Sequence, residues 1–206
     1  KASQWAPALV HDSHYIEPPR RPDQGYHLNA DLADQATTFI TDLRAVAPDK
    51  PFFMYYCLGA GHAPHHVEPE WIEHYRGRYD GGWDRWREET FARQKQLGVI
   101  GPDAELTPRH AEIPAWDDMP AQMKPVLERQ MEVYAGFLEH TDHHIGRLID
   151  ALENLGVLEN TLVYYIFGDN GASAEGTHNG LFNEIAAFNG MAALETPEFL
   201  LSKIDE

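Results

Sequence analysis

The stretch TLVYYIFGDNGASAEGTHNGLFNE, residues 161–184, limits the possible folds of this chain more than any other part of the sequence. Its first seven residues, 161–167, are largely apolar and rich in β-branched and aromatic types. A run of that length and composition is typical of a strand buried on both faces, as in a parallel sheet. The run ends at Gly168, and Asp169 and Asn170 follow directly.

Asp169 and Asn170 are candidate metal ligands. Adjacent side chains on a strand point to opposite faces, so the backbone must leave the strand for both to serve one site, and the flanking glycines permit this. Carboxylate and amide oxygens are hard ligands suited to Ca²⁺, with Mg²⁺ as the alternative. Ligands of open α/β sheets collect beyond the carboxyl ends of strands, where this pair lies. An ordinary Asp-Asn-Gly turn is the competing interpretation.

A second apolar run, residues 52–58, follows a helix predicted from a 3–4 spacing of apolar residues, with Asn29 as its N-cap. Two such helix-to-strand steps favour a mostly parallel sheet. The loop after the second run is GAGHAPHH, which places His62, His65 and His66 at the carboxyl end of a strand. A solvated histidine cluster is the alternative for this loop.

A long helix is predicted over residues 125–155, and Gly156 is its natural stop. His140 and His144 lie one turn apart on it, but the sequence HTDHH lacks the glutamate of the HExxH zinc motif. We therefore expect a packed or solvated helix face there. Residues 1–28 are expected to be irregular, and residues 69–118, rich in Trp, Arg and Glu, to form two short helices and a loop.

Composition narrows the class of protein. The 206 residues, 43% of them hydrophobic, suffice for one domain with a sizeable core. The formal net charge of −17 disfavours nucleic acid and anionic membrane surfaces as partners, because both would be repelled. No apolar run is long enough to span a membrane. Cys57 is the single cysteine, so no internal disulfide can form and cysteine usage assigns no compartment.

Several motifs together resemble the sulfatase family, and specifically its arylsulfatases. They are the strand followed by GDNGASAEG, the segment KPFFMYYCLGAGHAPHH, the helix RQMEVYAGFLEHTDHHIGRLIDALENLG and the segment PDQGYHLNADLADQA. The resemblance implies an α/β fold, the alkaline-phosphatase-like sandwich with a mostly parallel central sheet. It also implies that Asp169 and Asn170 hold part of a Ca²⁺ or Mg²⁺ site and that His65 contacts the sulfate of the substrate.

The resemblance also indicates what is missing. Sulfatases use a formylglycine made from the cysteine of a Cys-x-Pro/Ala-x-Arg motif, whereas Cys57 is followed by Leu-Gly-Ala-Gly. We therefore expect residues 1–206 to be the central portion of one catalytic domain, incomplete at both ends. Residues 69–118 would be an insertion that covers one side of the site, and the catalytic nucleophile would lie outside this chain.

The first hypothesis is thus that this chain is part of an arylsulfatase, an enzyme that hydrolyses small-molecule sulfate esters. The fragment alone is expected to be inactive. The alternatives are a phosphoryl or phosphonate hydrolase of the same superfamily and a non-catalytic module that binds Ca²⁺ or a partner protein. Neither oligomeric state nor compartment follows from the sequence. If the two apolar runs are parallel strands, His65 and Asp169 lie within about 15 Å of each other. His140 and His144 are expected to lie well outside that crevice.

Overall fold

The computed structural model describes residues 3–168, 176 and 178–205. Asp169 and Asn170 lie outside the described residues. Six α-helices are found in the described part of the chain: α1 Leu28–Val46, α2 Pro69–Glu73, α3 Gly82–Gln96, α4 Lys124–Asn154, α5 Glu184–Phe188 and α6 Pro197–Ser202. Short 3-10 turns cover Pro22–Gln24, Trp116–Asp118, Leu158–Asn160 and Ala192–Leu194.

The chain divides into two compact units. Among the described residues, the first contains 3–71 and 136–168, and the second contains 72–135, 176 and 178–205. The predicted 69–118 segment falls almost wholly in the second unit. α4, with 31 residues, belongs to both units, and no helix that the structure describes, α4 included, combines the length and apolar character needed to cross a membrane.

The core of the first unit forms where α1 meets the C-terminal half of α4. Ala36 and Ile40 of α1 pack with Leu148 and Leu152 of α4. The N-cap of α1 is His27, whose side chain accepts a hydrogen bond from the backbone N–H of Asn29. The prediction that Asn29 caps this helix is therefore wrong. Asn29 is instead fully buried, because its amide faces α4.

The two apolar runs differ most from expectation. Residues 52–58 and 161–167 form no β-ladder with any other described residue, so the parallel sheet is not present in this part of the chain. A strand exists only with a partner that takes up its backbone hydrogen bonds, and periodicity does not say where that partner is. Residues 52–58 still alternate: Phe52, Met54 and Tyr56 pack on the α1–α4 core, whereas Phe53 is 88% exposed. Cys57 is exposed on the same outward face.

The sheet that the described residues do contain is a small hairpin in the segment expected to be irregular. β1 Leu9–His11 pairs antiparallel with β2 His14–Ile16, with Leu9 opposite Ile16. Asp12 adopts a φ of 54° in the turn, a conformation that aspartate tolerates better than most residues. Strands of three residues are too short to give a recognisable apolar–polar alternation in a segment that contains several prolines.

The second unit is built around tryptophans and methionines. Its core contains Trp116, Met119, Met123, Val126, Leu127 and Leu200, with Trp83 packed against it. The rings of Trp83 and Trp116 meet edge to face with centroids 4.8 Å apart. These two tryptophans therefore serve packing, the commoner use of such residues.

Candidate substrate-binding loop

The GAGHAPHH loop separates its three histidines into different environments. His62 is exposed and its Nδ1 lies 2.9 Å from the carbonyl oxygen of the next residue, Ala63. His65 is half-buried, and its ring centroid is 5.7 Å from that of Phe137, which is completely buried in α4. His66 is also half-buried. The His65 ring is thus packed near α4 rather than part of a solvated cluster.

His27 connects this loop to α1. Its Nε2 donates a hydrogen bond to the carbonyl oxygen of His66 at 2.9 Å, and its Nδ1 accepts one from the N–H of Asn29 at 3.1 Å. Since Nδ1 accepts, the proton of the neutral ring is on Nε2, and one tautomer makes both bonds. Burial lowers the pKa of His27, which favours this neutral form.

The side chain of His66 has partners of its own near the start of the chain. Its Nδ1 lies 3.4 Å from the hydroxyl oxygen of Ser3, and its ring stacks on Trp5 with centroids 6.2 Å apart. Trp5 also meets His27 edge to face at 4.9 Å. Burial lowers the pKa of His66. Its backbone and its side chain are therefore both held.

His140 and His144 pack in the layer behind the loop. The rings of His140 and His27 have centroids 4.2 Å apart, and Trp71 meets His140 edge to face at 5.3 Å. Burial lowers the pKa of His140 to about 3 and that of His144 to about 4, so both are neutral at pH 7. The helix face is packed rather than solvated. His140 contacts His27, which holds the backbone of His66. Whether the pair lies outside the crevice of His65 and Asp169 stays a prediction, because Asp169 is outside the described residues.

The described residues contain no group of three or more His, Cys, Asp and Glu side chains that is arranged to hold a metal ion. Glu68 comes within 3.8 Å of His140 Nε2, and the rings of His27, Trp71 and His144 pack against His140. The predicted ligands Asp169 and Asn170 lie outside the described residues, as does any distance from them to His65. The structure therefore gives the surroundings of His65, and the closeness of His65 to Asp169 stays a prediction.

Sequence reasoning missed His27, and it left open whether the helix face of His140 is packed or solvated. A histidine is an unusual N-cap, so the motif Tyr-His-Leu-Asn points first to Asn29. A signal for His140 is present, because Phe137, His140, His144 and Leu148 recur at intervals of three and four along α4 and are all buried. A buried face predicted from the apolar residues alone is centred away from these histidines.

Comparison with known proteins relates the chain to one family. The family model described as Sulfatase matches residues 5–203. An uncharacterized sulfatase from Schizosaccharomyces pombe is 37% identical over 138 residues, which are 66% of this chain and 25% of the relative. An arylsulfatase from Klebsiella aerogenes is 31% identical over 153 residues, which are 74% of this chain and 32% of the relative. The chain thus matches a quarter to a third of the length of these relatives.

Proposed function

Because this chain belongs to the sulfatase family, we propose that the protein that contains it is an arylsulfatase, which hydrolyses small-molecule sulfate esters. The observation that carries the proposal is the family match along residues 5–203. The arylsulfatase of Klebsiella aerogenes, 31% identical, supports the substrate class.

His65 is the residue of this chain that we assign to the substrate. An imidazole donates a hydrogen bond to a sulfate oxygen, and when protonated it passes that proton to the alkoxide or phenoxide oxygen that leaves. The packing of its ring near Phe137 supports this role, since a ring with a fixed orientation has less freedom to lose on binding.

Asp169 and Asn170 would supply two oxygen ligands of a divalent metal site. Their donor chemistry fits Ca²⁺, or Mg²⁺ as the alternative, but Ca²⁺ takes 6–8 oxygen ligands. The remaining ligands would come from outside this chain or from substrate. When bound, such an ion withdraws charge from sulfate oxygens.

The nucleophile does not belong to this chain. Cys57 is followed by Leu58, Gly59, Ala60 and Gly61, which do not match the Cys-x-Pro/Ala-x-Arg pattern of a formylglycine precursor. The 206 residues alone are therefore expected to leave an aryl sulfate intact, and residues 69–118 would cover one side of the completed site.

The test uses the full-length protein with a chromogenic aryl sulfate and the matching aryl phosphate. We expect hydrolysis of the sulfate in preference to the phosphate. His65→Ala should lower kcat/KM by about 100-fold or more, the usual contribution of a positioned proton donor. His62→Ala, in the same loop but exposed, is the matched control and should retain activity. Preferential hydrolysis of the phosphate, or equal losses in the two variants, would contradict the proposal.

A further inference from the structure

We propose that His27 is a positioning residue, which fixes the backbone beside His65 and thereby sets the orientation of the substrate-contacting imidazole. The inference rests on the proposed role of His65. His27 lies in the PDQGYHLNADLADQA segment, to which the resemblance gave no role, and its side chain has no direct contact with the substrate in this scheme. It acts through the carbonyl of His66.

The geometry assigns His27 two tasks at once. Its Nδ1 accepts from the N–H of Asn29 at the first turn of α1, and its Nε2 donates to the carbonyl of His66. The first task can be performed by any good N-cap residue. The second requires a donor that reaches across to a segment 39 residues further along the chain. Only the Nε2–H tautomer performs both.

The position of the bond matters. The carbonyl of His66 is one residue beyond His65, so holding it limits rotation of the backbone that carries the His65 ring. The ring of Phe137 lies beside that ring, with centroids 5.7 Å apart. The backbone carbonyl of Phe137 accepts from the hydroxyl of Thr141, which in turn accepts from Asn29, two residues after His27. α1 and α4 therefore support the loop together.

The ring of His27 is itself enclosed. It is 2% exposed, with Trp5 edge to face on one side and the ring of His140 at 4.2 Å. The titratable groups around it are His66, Glu68, His140 and His144. The enclosing rings leave little room for a second rotamer, so the bond to His66 has a fixed direction.

The variant His27→Asn separates the two tasks. Asparagine is a strong N-cap, so α1 keeps its start, but its side chain is too short to serve the carbonyl of His66. In the full-length protein we expect the peptide spanning residues 59–68 to exchange its amide hydrogens at least about tenfold faster, while α1 keeps its protection. His27→Ser, a second good cap without a donor of that reach, should behave in the same way and serves if the asparagine variant does not fold. Unchanged exchange of residues 59–68 in the folded variant would overturn the inference.

Activity then shows whether the held loop acts through His65. His27→Asn should lower kcat/KM for an aryl sulfate by about tenfold or more, as expected for a misplaced catalytic group. In a His65→Ala background the same substitution should have no further effect. If its cost persists in that background, His27 acts by another route and the inference fails. If residues 59–68 loosen but His65→Ala alone is fully active, the loop contact stands and the proposed function of His65 is the part that is wrong.

Discussion

The Nε2 atoms of His140 and His144 lie 3.0 Å apart in the interior of the first unit. Arg147 Nη1 donates to Nδ1 of His144 at 3.0 Å, so the proton of neutral His144 is on Nε2 and points to His140. The Nε2 of His140 must then accept, which places its own proton on Nδ1. That buried N–H has no hydrogen-bond partner among the described residues. A second proton on either ring disrupts this order.

The first prediction is that the free energy of unfolding falls as the pH drops from about 6.5 to about 4. Burial holds the pKa of His140 at about 3 and that of His144 at about 4, whereas an unfolded histidine titrates near pH 6.5. In that window the unfolded chain binds more protons than the folded chain. The stabilisation contributed by neutral His140 and His144 is therefore complete above about pH 6.5 and is lost on acidification. Each ring contributes a slope of up to about 1.4 kcal/mol per pH unit.

Urea denaturation at a series of pH values measures this slope. Carboxylates also weaken the fold in acid, so the informative comparison is with the double variant His140→Gln/His144→Gln, which should show a shallower slope. The exposed pair His11→Gln/His14→Gln is the control and should keep the original slope. Equal slopes in all three proteins would show that the α4 histidines titrate normally.

The second prediction concerns Asn29. Its side-chain amide donates to Thr141 Oγ1 at 2.9 Å, and the residue is fully buried. Asn29→Ala leaves the threonine hydroxyl without this donor and should destabilise the fold by about 1–3 kcal/mol. Asn154→Ala, at the exposed end of α4, should cost far less. Chemical denaturation of both variants decides the matter, and similar losses would mean that the buried bond contributes little.

The third prediction contrasts two glutamates of the second unit. Buried Glu132 accepts from the N–H of Gly77 at 2.7 Å and from Arg129 at 2.9 Å, whereas Glu89 pairs with Arg85 at the surface. Glu132→Gln leaves Arg129, which is largely buried, without its nearest carboxylate and should cost about 3 kcal/mol. Glu89→Gln should change stability by less than about 1 kcal/mol. Thermal unfolding of the two variants provides the comparison, and a cost for Glu89→Gln as large as that for Glu132→Gln would refute it.

The fourth prediction separates backbone conformation from close packing at glycine. Gly82 and Gly98 both have a φ of 71°, but a Cβ on Gly82 would overlap the indole of Trp116, whereas a Cβ on Gly98 meets nothing within 4 Å. Gly98→Ala should cost about 1–2 kcal/mol for the left-handed backbone alone. Gly82→Ala should cost about 2 kcal/mol more, because the ring must move. Denaturation midpoints that coincide would show that Trp116 yields freely.

Helices were predictable because their signals are local. α4 was expected over 125–155 and runs over Lys124–Asn154, with its end where Gly156 indicates. The parallel sheet was not found among the described residues, because residues 52–58 and 161–167 depend on partners that a local pattern does not identify. At the candidate site, the role of His65 follows from the family resemblance and stays a prediction. His27 was missed because its value lies in a contact with His66, 39 residues away.

The alternation of residues 52–58 has a consequence for assembly. Phe52, Met54 and Tyr56 already face the α1–α4 core, although no strand pairs with them in the described part of the chain. Any strand that pairs with residues 52–58 would therefore find their inward and outward side chains already fixed by packing. A slip of this segment by one residue would exchange Phe53 and Tyr55, now outward, for the side chains that hold the segment to the helices. The α1–α4 core thus fixes which side chains of residues 52–58 face inward and which face outward.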